Sequence, residues 1–383
     1  MKLLTIIGAR PQIIKAAAFS RAIKNLYSES VKEVIVHTGQ HYDSNMSDVF
    51  FEQLGIPQPD YNLNVGSGKH GVQTAKMIDG IEEVLEKERP NAIVLYGDTN
   101  STLAGAVSAS KIHVPVIHIE AGLRSYNKKM PEEINRIMCD HVSTLLFSPT
   151  NTGLENLKKE GFAIDNEGPF SMDNPKVYQC GDLMYDNSMY FSQNLKNEDE
   201  VLTKYGLKEG DEYILVTCHR PQNTDDVEAL TNIFSALNEI SVENNKKVVL
   251  PIHPRTKALM GKNVKEDVLA LVNSNENFII GEPADFIEMI VLEKNSEMLI
   301  TDSGGVQKEA YFFKKPAVIM RPETEWVEIV ETGSAVLVGS DKNLIKQGYQ
   351  DLSAKDLSFP EIFGDAKAAE FMITRIVEDL QCS

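Results

Sequence analysis

An alternation of short apolar runs with longer amphipathic stretches constrains this chain more than any other feature. Apolar runs lie at residues 3–7, 34–36, 92–95, 114–119, 145–147, 177–178, 213–216, 248–250, 278–280, 298–300, 317–320 and 335–338. Most are rich in Val, Ile and Leu with no polar alternation, which is how strands buried on both faces of a parallel sheet read. Between them lie stretches of helical length, at 12–24, 73–88, 101–111, 225–243 and 306–313. Strands that alternate with helices build parallel sheets covered on both faces. The expected fold class is therefore α/β, with Rossmann-like doubly wound domains. At 383 residues the chain exceeds one ordinary core. The polar, turn-rich segment 165–174 predicts a boundary. An N-terminal domain then spans 1–170 and a C-terminal domain 175–360, with a final helix, 366–380, returning to the first. Ligands of open α/β sheets bind beyond the carboxyl ends of the strands, so an interdomain cleft lined by strand-end loops is expected.

Charge narrows the ligand. A formal charge of −18 repels a polyanionic backbone, so no nucleic-acid partner is expected. A small anion would need local cations or helix N-termini. The four cysteines, Cys139, Cys180, Cys218 and Cys382, form no Cys-x-x-Cys pair and fit a reducing, cytoplasmic setting. The first residues read as a strand and not as a signal peptide, and no apolar window is long enough for membrane insertion.

One motif is set aside. Gly66-Ser67-Gly68-Lys69-His70-Gly71 has dinucleotide-fingerprint spacing, but no buried strand precedes it and no acidic residue follows at the right strand end. It reads as a loop before a helix.

The strand ends carry the chemistry. Gly8-Ala9-Arg10-Pro11 leads into a helix with Lys15 in its first turns, which offers an anion two cations and a helix N-terminus. Asp98 and Glu120 follow successive apolar runs, and Glu132 opens the next helix. Alone, Asp98 reads as a helix cap, Glu120 as a buried acid paired with Arg124, and Glu132 as an ordinary helix start. Together they put three carboxyls within reach of one crevice, where burial and like charge push pKa values up and apart. The second half repeats the pattern with His219, His253, Arg321 and the turn Ser303-Gly304-Gly305, a ready diphosphate cradle with Glu309 further along its helix. No histidine pair has metal-ligand spacing, so no metal is expected.

In this order, Gly8-Ala9-Arg10-Pro11, Thr38-Gly39-Gln40-His41, Tyr96-Gly97-Asp98-Thr99, His118-Ile119-Glu120-Ala121-Gly122-Leu123-Arg124, Pro131-Glu132-Glu133-Ile134-Asn135-Arg136, His219-Arg220 and Thr301-Asp302-Ser303-Gly304-Gly305-Val306-Gln307-Lys308-Glu309 resemble the non-hydrolysing UDP-N-acetylglucosamine 2-epimerases. The resemblance spans about residues 1–340. It implies a glycosyltransferase-B-like fold, a homodimer, a UDP-sugar substrate and no cofactor. It also implies a mechanism: the carbon 2 proton leaves with UDP to give a 2-acetamidoglucal, and UDP re-adds as a proton arrives on the opposite face. By motif, Asp98, Glu120 and Glu132 are the acid/base carboxyls and His219 serves the leaving phosphate. Arg10, Ser303, Gly304 and Gly305 hold the diphosphate, Glu309 the ribose, and Phe286 stacks on uracil.

Two departures stand out. Val72 replaces an arginine, and Asp43 an amide, where many members bind an activating UDP-sugar, so that requirement is expected to be weak or absent. The short segment 124–131 and the runs 218–225 and 323–328 resemble the branch acting on UDP-2,3-diacetamido-2,3-dideoxyglucuronate. An extra cation for the uronate carboxylate is expected there from Arg124, Lys128 or Lys129. Competing readings are a two-domain glycosyltransferase, a hydrolysing 2-epimerase and a nucleotide-sugar sensor.

Overall fold

The computed structural model describes residues 1–40, 51 and 54–381. His41, Asp43 and Cys382 lie outside the described residues. The chain divides into two compact units, one of residues 1–187 with those from Glu361 onward, the other of residues 188–360.

The first unit carries a parallel sheet with strand order β3-β2-β1-β4-β5-β6-β7. These strands are β1 (Lys2–Ile7), β2 (Lys32–His37), β3 (Tyr61–Asn62), β4 (Ala92–Tyr96), β5 (Val116–Ile119), β6 (Leu145–Ser148) and β7 (Lys176–Gln179). The second unit carries β10-β9-β8-β11-β12-β13, formed by β8 (Tyr213–Thr217), β9 (Lys247–Pro251), β10 (Phe278–Gly281), β11 (Met298–Thr301), β12 (Ala317–Ile319) and β13 (Ala335–Leu337). Both orders double back on the first strand, which is the doubly wound arrangement that the alternation predicts. Strands β4 and β8 are buried at every residue, as uninterrupted apolar runs require. In the first unit Leu4, Ile6, Ile93 and Leu95 pack against Met77, Ile81 and Ala104. In the second, Val216, Leu250 and Ile300 pack against Leu230, Phe234 and Tyr349.

One boundary is corrected. β7 follows the turn-rich segment but pairs with β6, Leu145 opposite Lys176 and Ser148 opposite Gln179. The segment is thus a crossover to an edge strand and not an interdomain linker. The division falls at Asn187, inside the helix Leu183–Gln193. Asn187 is fully buried, and its Nδ2 donates to the Ile14 carbonyl at 2.6 Å, tying that end of the helix to the first unit.

The final helix, Ala368–Gln381, lies in the first unit against the helix Arg10–Leu26. Its first amides meet Asp186, whose Oδ1 accepts from Ala368 N at 3.1 Å and Oδ2 from Ala369 N at 2.7 Å. Burial pushes the Asp186 pKa up to about 7, against the help of these amides. A raised carboxyl pKa means that the folded state binds the proton more tightly than the unfolded one. Its contribution is full at acid pH and is lost as pH rises towards 7. The stability of the native protein relative to Asp186→Asn should therefore fall between pH 4 and pH 7 and level off above, as read by thermal melts across that range.

Candidate active site

In the first unit the strand order reverses between β1 and β4, and the candidate residues gather there. The chain leaves β1 through Gly8, where a Cβ would lie 2.2 Å from both the Ser101 and Thr38 hydroxyls, so only glycine fits. Gln12 then ties the two strand ends together. Its Oε1 accepts from Ala9 N at 3.1 Å, and its Nε2 donates to the Tyr96 carbonyl at 2.9 Å and to Thr102 Oγ1 at 3.1 Å. Arg10 is exposed on the first turn of the helix. Lys15, one turn on, is buried and pairs with Glu120, not with solvent.

Glu120 has φ +72, a left-handed conformation that a side chain pays for by roughly 1 kcal/mol. This backbone turns its carboxyl back towards the end of β4. A Cβ on Gly97 would lie 3.0 Å from Glu120 Oε2. The pairing of Glu120 with Arg124 suggested by the sequence does not form. Arg124 instead binds Glu160 through Nε at 2.6 Å and Asp140 through Nη2 at 2.7 Å, with 1% of its side chain exposed. It is therefore no candidate for an extra substrate cation, whereas Lys128 and Lys129 are exposed.

Asp98 ends the β4 loop. Arg136 pairs with its carboxylate, and Asn135 Nδ2 donates to its carbonyl at 2.8 Å. Its side chain keeps 35% of its area open, yet protein crowds the carboxyl. Loss of hydration raises its pKa, Arg136 and Lys15 pull it back, and the charges of Glu120 and Glu132 push it up again. Asp98 and the exposed Glu132 line one cavity of about 390 Å³. Its neighbour Glu133 is structural: the carboxylate accepts from Ser125 N at 2.8 Å and Tyr126 N at 2.9 Å. The set-aside loop contributes Ser67, Gly68 and His70 to the cavity wall, and Asn100 Nδ2 donates to Gln73 Oε1 at 2.9 Å beside them.

Behind this surface lies a buried ion cluster. His118 faces acceptors with both ring nitrogens, Nδ1 at 2.6 Å from Asp140 and Nε2 at 2.8 Å from the Gly97 carbonyl. Burial alone would lower its pKa, but Cys139 and Asp140 raise it well above the ordinary value, so the ring is an imidazolium that donates twice. Asp140 also accepts from Gly122 N at 3.1 Å. The cluster thereby pins the loops after β4 and β5 from below.

The second unit repeats the scheme between β8 and β11. Asp302, without exposed surface, accepts from His219 N at 2.9 Å, Arg220 N at 2.9 Å and Asn223 Nδ2 at 3.0 Å. His219 and His253 rings lie 5.2 Å apart. Burial lowers the His219 pKa, Asp302 raises it, and His253 and Arg220 lower it again, so the ring is neutral at neutral pH. His253 Nδ1 accepts from Arg255 N at 3.1 Å. The helix Gly304–Phe312 opens with Gly304 buried and Gly305 exposed, and a Cβ on Gly304 would strike Glu325 at 2.3 Å. Arg321 Nη1 donates to that same Glu325 at 2.9 Å. Ser303 N is already engaged with Thr301 Oγ1 at 2.9 Å, and Glu309 is partly buried two turns on. Phe286, 6% exposed, meets Phe191 edge-on at 5.7 Å. Among the described residues, no three His, Cys, Asp or Glu side chains cluster to hold a metal, and no helix is long and apolar enough to cross a membrane.

Known proteins with this arrangement are informative. A family model described as UDP-N-acetylglucosamine 2-epimerase matches residues 24–378. The UDP-2,3-diacetamido-2,3-dideoxy-D-glucuronate 2-epimerase of Pseudomonas aeruginosa is 47% identical over 99% of both chains. The UDP-N-acetylglucosamine 2-epimerase of Methanocaldococcus jannaschii is 41% identical over 97% of this chain and 98% of its own. The crystal structure of the M. jannaschii enzyme with UDP-GlcNAc and UDP superposes with a TM-score of 0.82 at 38% identity, covering 99% of this chain and 100% of that one.

Asp140→Asn keeps the shape of the buried cluster but removes the charge that two buried cations share. Urea denaturation should show a loss of about 3 kcal/mol.

Proposed function

The chain belongs to the UDP-N-acetylglucosamine 2-epimerase family, a family of isomerases, and from that premise we propose that it inverts carbon 2 of UDP-2,3-diacetamido-2,3-dideoxyglucuronate without hydrolysing it, for cell-surface polysaccharide synthesis. The observation that carries this reading is the loss of hydration at Asp98, with the charges of Glu120 and Glu132 acting in the same direction. Taking a weakly acidic C–H proton calls for a carboxylate of more than ordinary basicity, and the raised Asp98 pKa supplies one. Delivery of a proton to the opposite ring face calls for a second carboxyl, and Glu120 and Glu132 are the candidates. UDP departs as an anion, favoured by Arg10, Arg321 and the helix that begins at Ser303-Gly304-Gly305. The neutral His219 ring can donate a hydrogen bond to the leaving phosphate, with His253 beside it. Glu309 accepts from the ribose hydroxyls and Phe286 flanks the uracil. Lys15 holds Glu120 in place and adds positive charge near the diphosphate.

The uronate reading is favoured by the Pseudomonas relative and by exposed Lys128 and Lys129 on the short segment after β5. UDP-N-acetylglucosamine is the second reading, favoured by the archaeal relative. A cytoplasmic setting suits the free thiols of Cys139, Cys180 and Cys218. A homodimer suits the exposed residues Met130, Ile134 and Met138, the first the N-cap of the helix Pro131–Asp140 and the others within it at four-residue spacing. Val72, 55% exposed, leaves the expected activator arginine unreplaced, so rate curves should be hyperbolic.

Proton NMR in heavy water tests the reaction on each nucleotide separately. Deuterium at carbon 2 with a manno-configured product is expected from the diacetamido-glucuronate. Turnover of UDP-N-acetylglucosamine alone would overturn the substrate, and release of free sugar would overturn the non-hydrolysing course. Asp98→Asn should cut kcat at least ~100-fold while calorimetry still finds UDP bound.

A further inference from the structure

Glu293 has no place in the chemistry so far. It stands on the helix Phe286–Asn295 with none of its surface exposed. Neither carboxyl oxygen receives a hydrogen bond from an ordinary donor. The carboxyl it faces is that of Glu309, on the helix Gly304–Phe312 packed against its own, placed where one proton between the two would make a hydrogen bond. Two ionised carboxylates offer only acceptors, so this contact requires a proton held between them. Burial decides where the proton sits. Glu293, wholly enclosed, is raised well above the carboxylate range by loss of hydration and then by Glu309. Tyr213 on β8 also faces it, with its hydroxyl committed to the Leu292 carbonyl at 2.6 Å. Glu293 is thus the acid and Glu309 the acceptor.

We propose that Glu293 is a positioning residue, a buried carboxylic acid that donates to Glu309 and fixes that carboxylate to receive the ribose hydroxyls of a bound uridine nucleotide. The inference rests on the reading of Glu309 as the ribose ligand. A proton shared by the pair leaves one net charge, enough to accept two hydroxyls and too little to force the carboxyls apart.

The test measures competitive inhibition by UDP and by inorganic pyrophosphate, which lacks ribose, on the full chain. Glu293→Leu removes the donor. UDP should bind about tenfold more weakly, pyrophosphate as before, with KM raised and kcat kept. Glu293→Gln retains a neutral donor and should restore UDP affinity. In the native protein UDP affinity should decline at alkaline pH as the pair loses its proton, and Glu293→Gln should abolish that decline. Equal weakening of UDP and pyrophosphate in Glu293→Leu, or no weakening of either, overturns the proposal. If Glu293→Leu fails to fold, an unchanged alkaline decline in Glu293→Gln overturns it. Glu309→Gln separates the two readings. If it leaves UDP inhibition intact, the ribose assignment fails and the proposal falls with it. If it weakens UDP while Glu293→Leu does not, only the role of Glu293 fails.

Discussion

Asp140 and Asp302 have no exposed surface, and each is ringed by donors at strand ends and in the segments that follow them. Asp140 gathers His118, Arg124 and the Gly122 amide. Asp302 gathers the His219 and Arg220 amides and the Asn223 side chain. Burying a carboxylate is unfavourable unless its lone pairs are filled, so each loop is held to the one course that fills them. His118 and Arg124 do this so fully that Asp140 stays below its ordinary pKa, although burial alone would raise it. The candidate groups stand on these loops: Gly97 and Asp98 above His118, His219 above Asp302. Their precision derives from acids that have no surface of their own to offer.

The same physics separates the acids of the first unit by role. Glu133, one residue from Glu132, is saturated with amide donors and is held below its ordinary pKa despite burial. Asp98 has one full ion pair and loses hydration without comparable return, so its proton affinity rises. Neighbouring carboxyls therefore part into those that fix structure and those poised to exchange a proton. Counting acids in the sequence does not make that distinction, because it depends on which backbone amides converge on each carboxyl.

Much of the fold was legible, since strand runs such as 92–95 and 213–216 are apolar on both faces and nothing else buries such a segment in this context. Helix limits were read to within a few residues: 306–313 against Gly304–Phe312, and 366–380 against Ala368–Gln381. The edge strands were harder. β3 is two residues long and half-buried, so it has no core signature, and of β7 only the run 177–178 shows, because its ends are not buried. The strand-end groups were legible because polar residues that interrupt apolar runs are conspicuous. Their partners were not. That Glu120 meets Lys15 and leaves Arg124 to Asp140 depends on a left-handed turn at residue 120 and on contacts across more than one hundred positions, which no local pattern encodes.

The return of the C-terminal helix also bears on how the molecule is made. Residues 188–360 form a continuous unit, and its core requires nothing from elsewhere in the chain. The sheet of the first unit is complete at Gln179, yet that unit lacks the helix Ala368–Gln381 and the amides that meet Asp186 until the whole second unit has been made. At about 5–20 residues per second, the interval between making the first sheet and its closing helix is roughly ten seconds or more. The unit translated first is thus completed last, and during that interval the buried face of the helix Arg10–Leu26 is the surface a chaperone would meet.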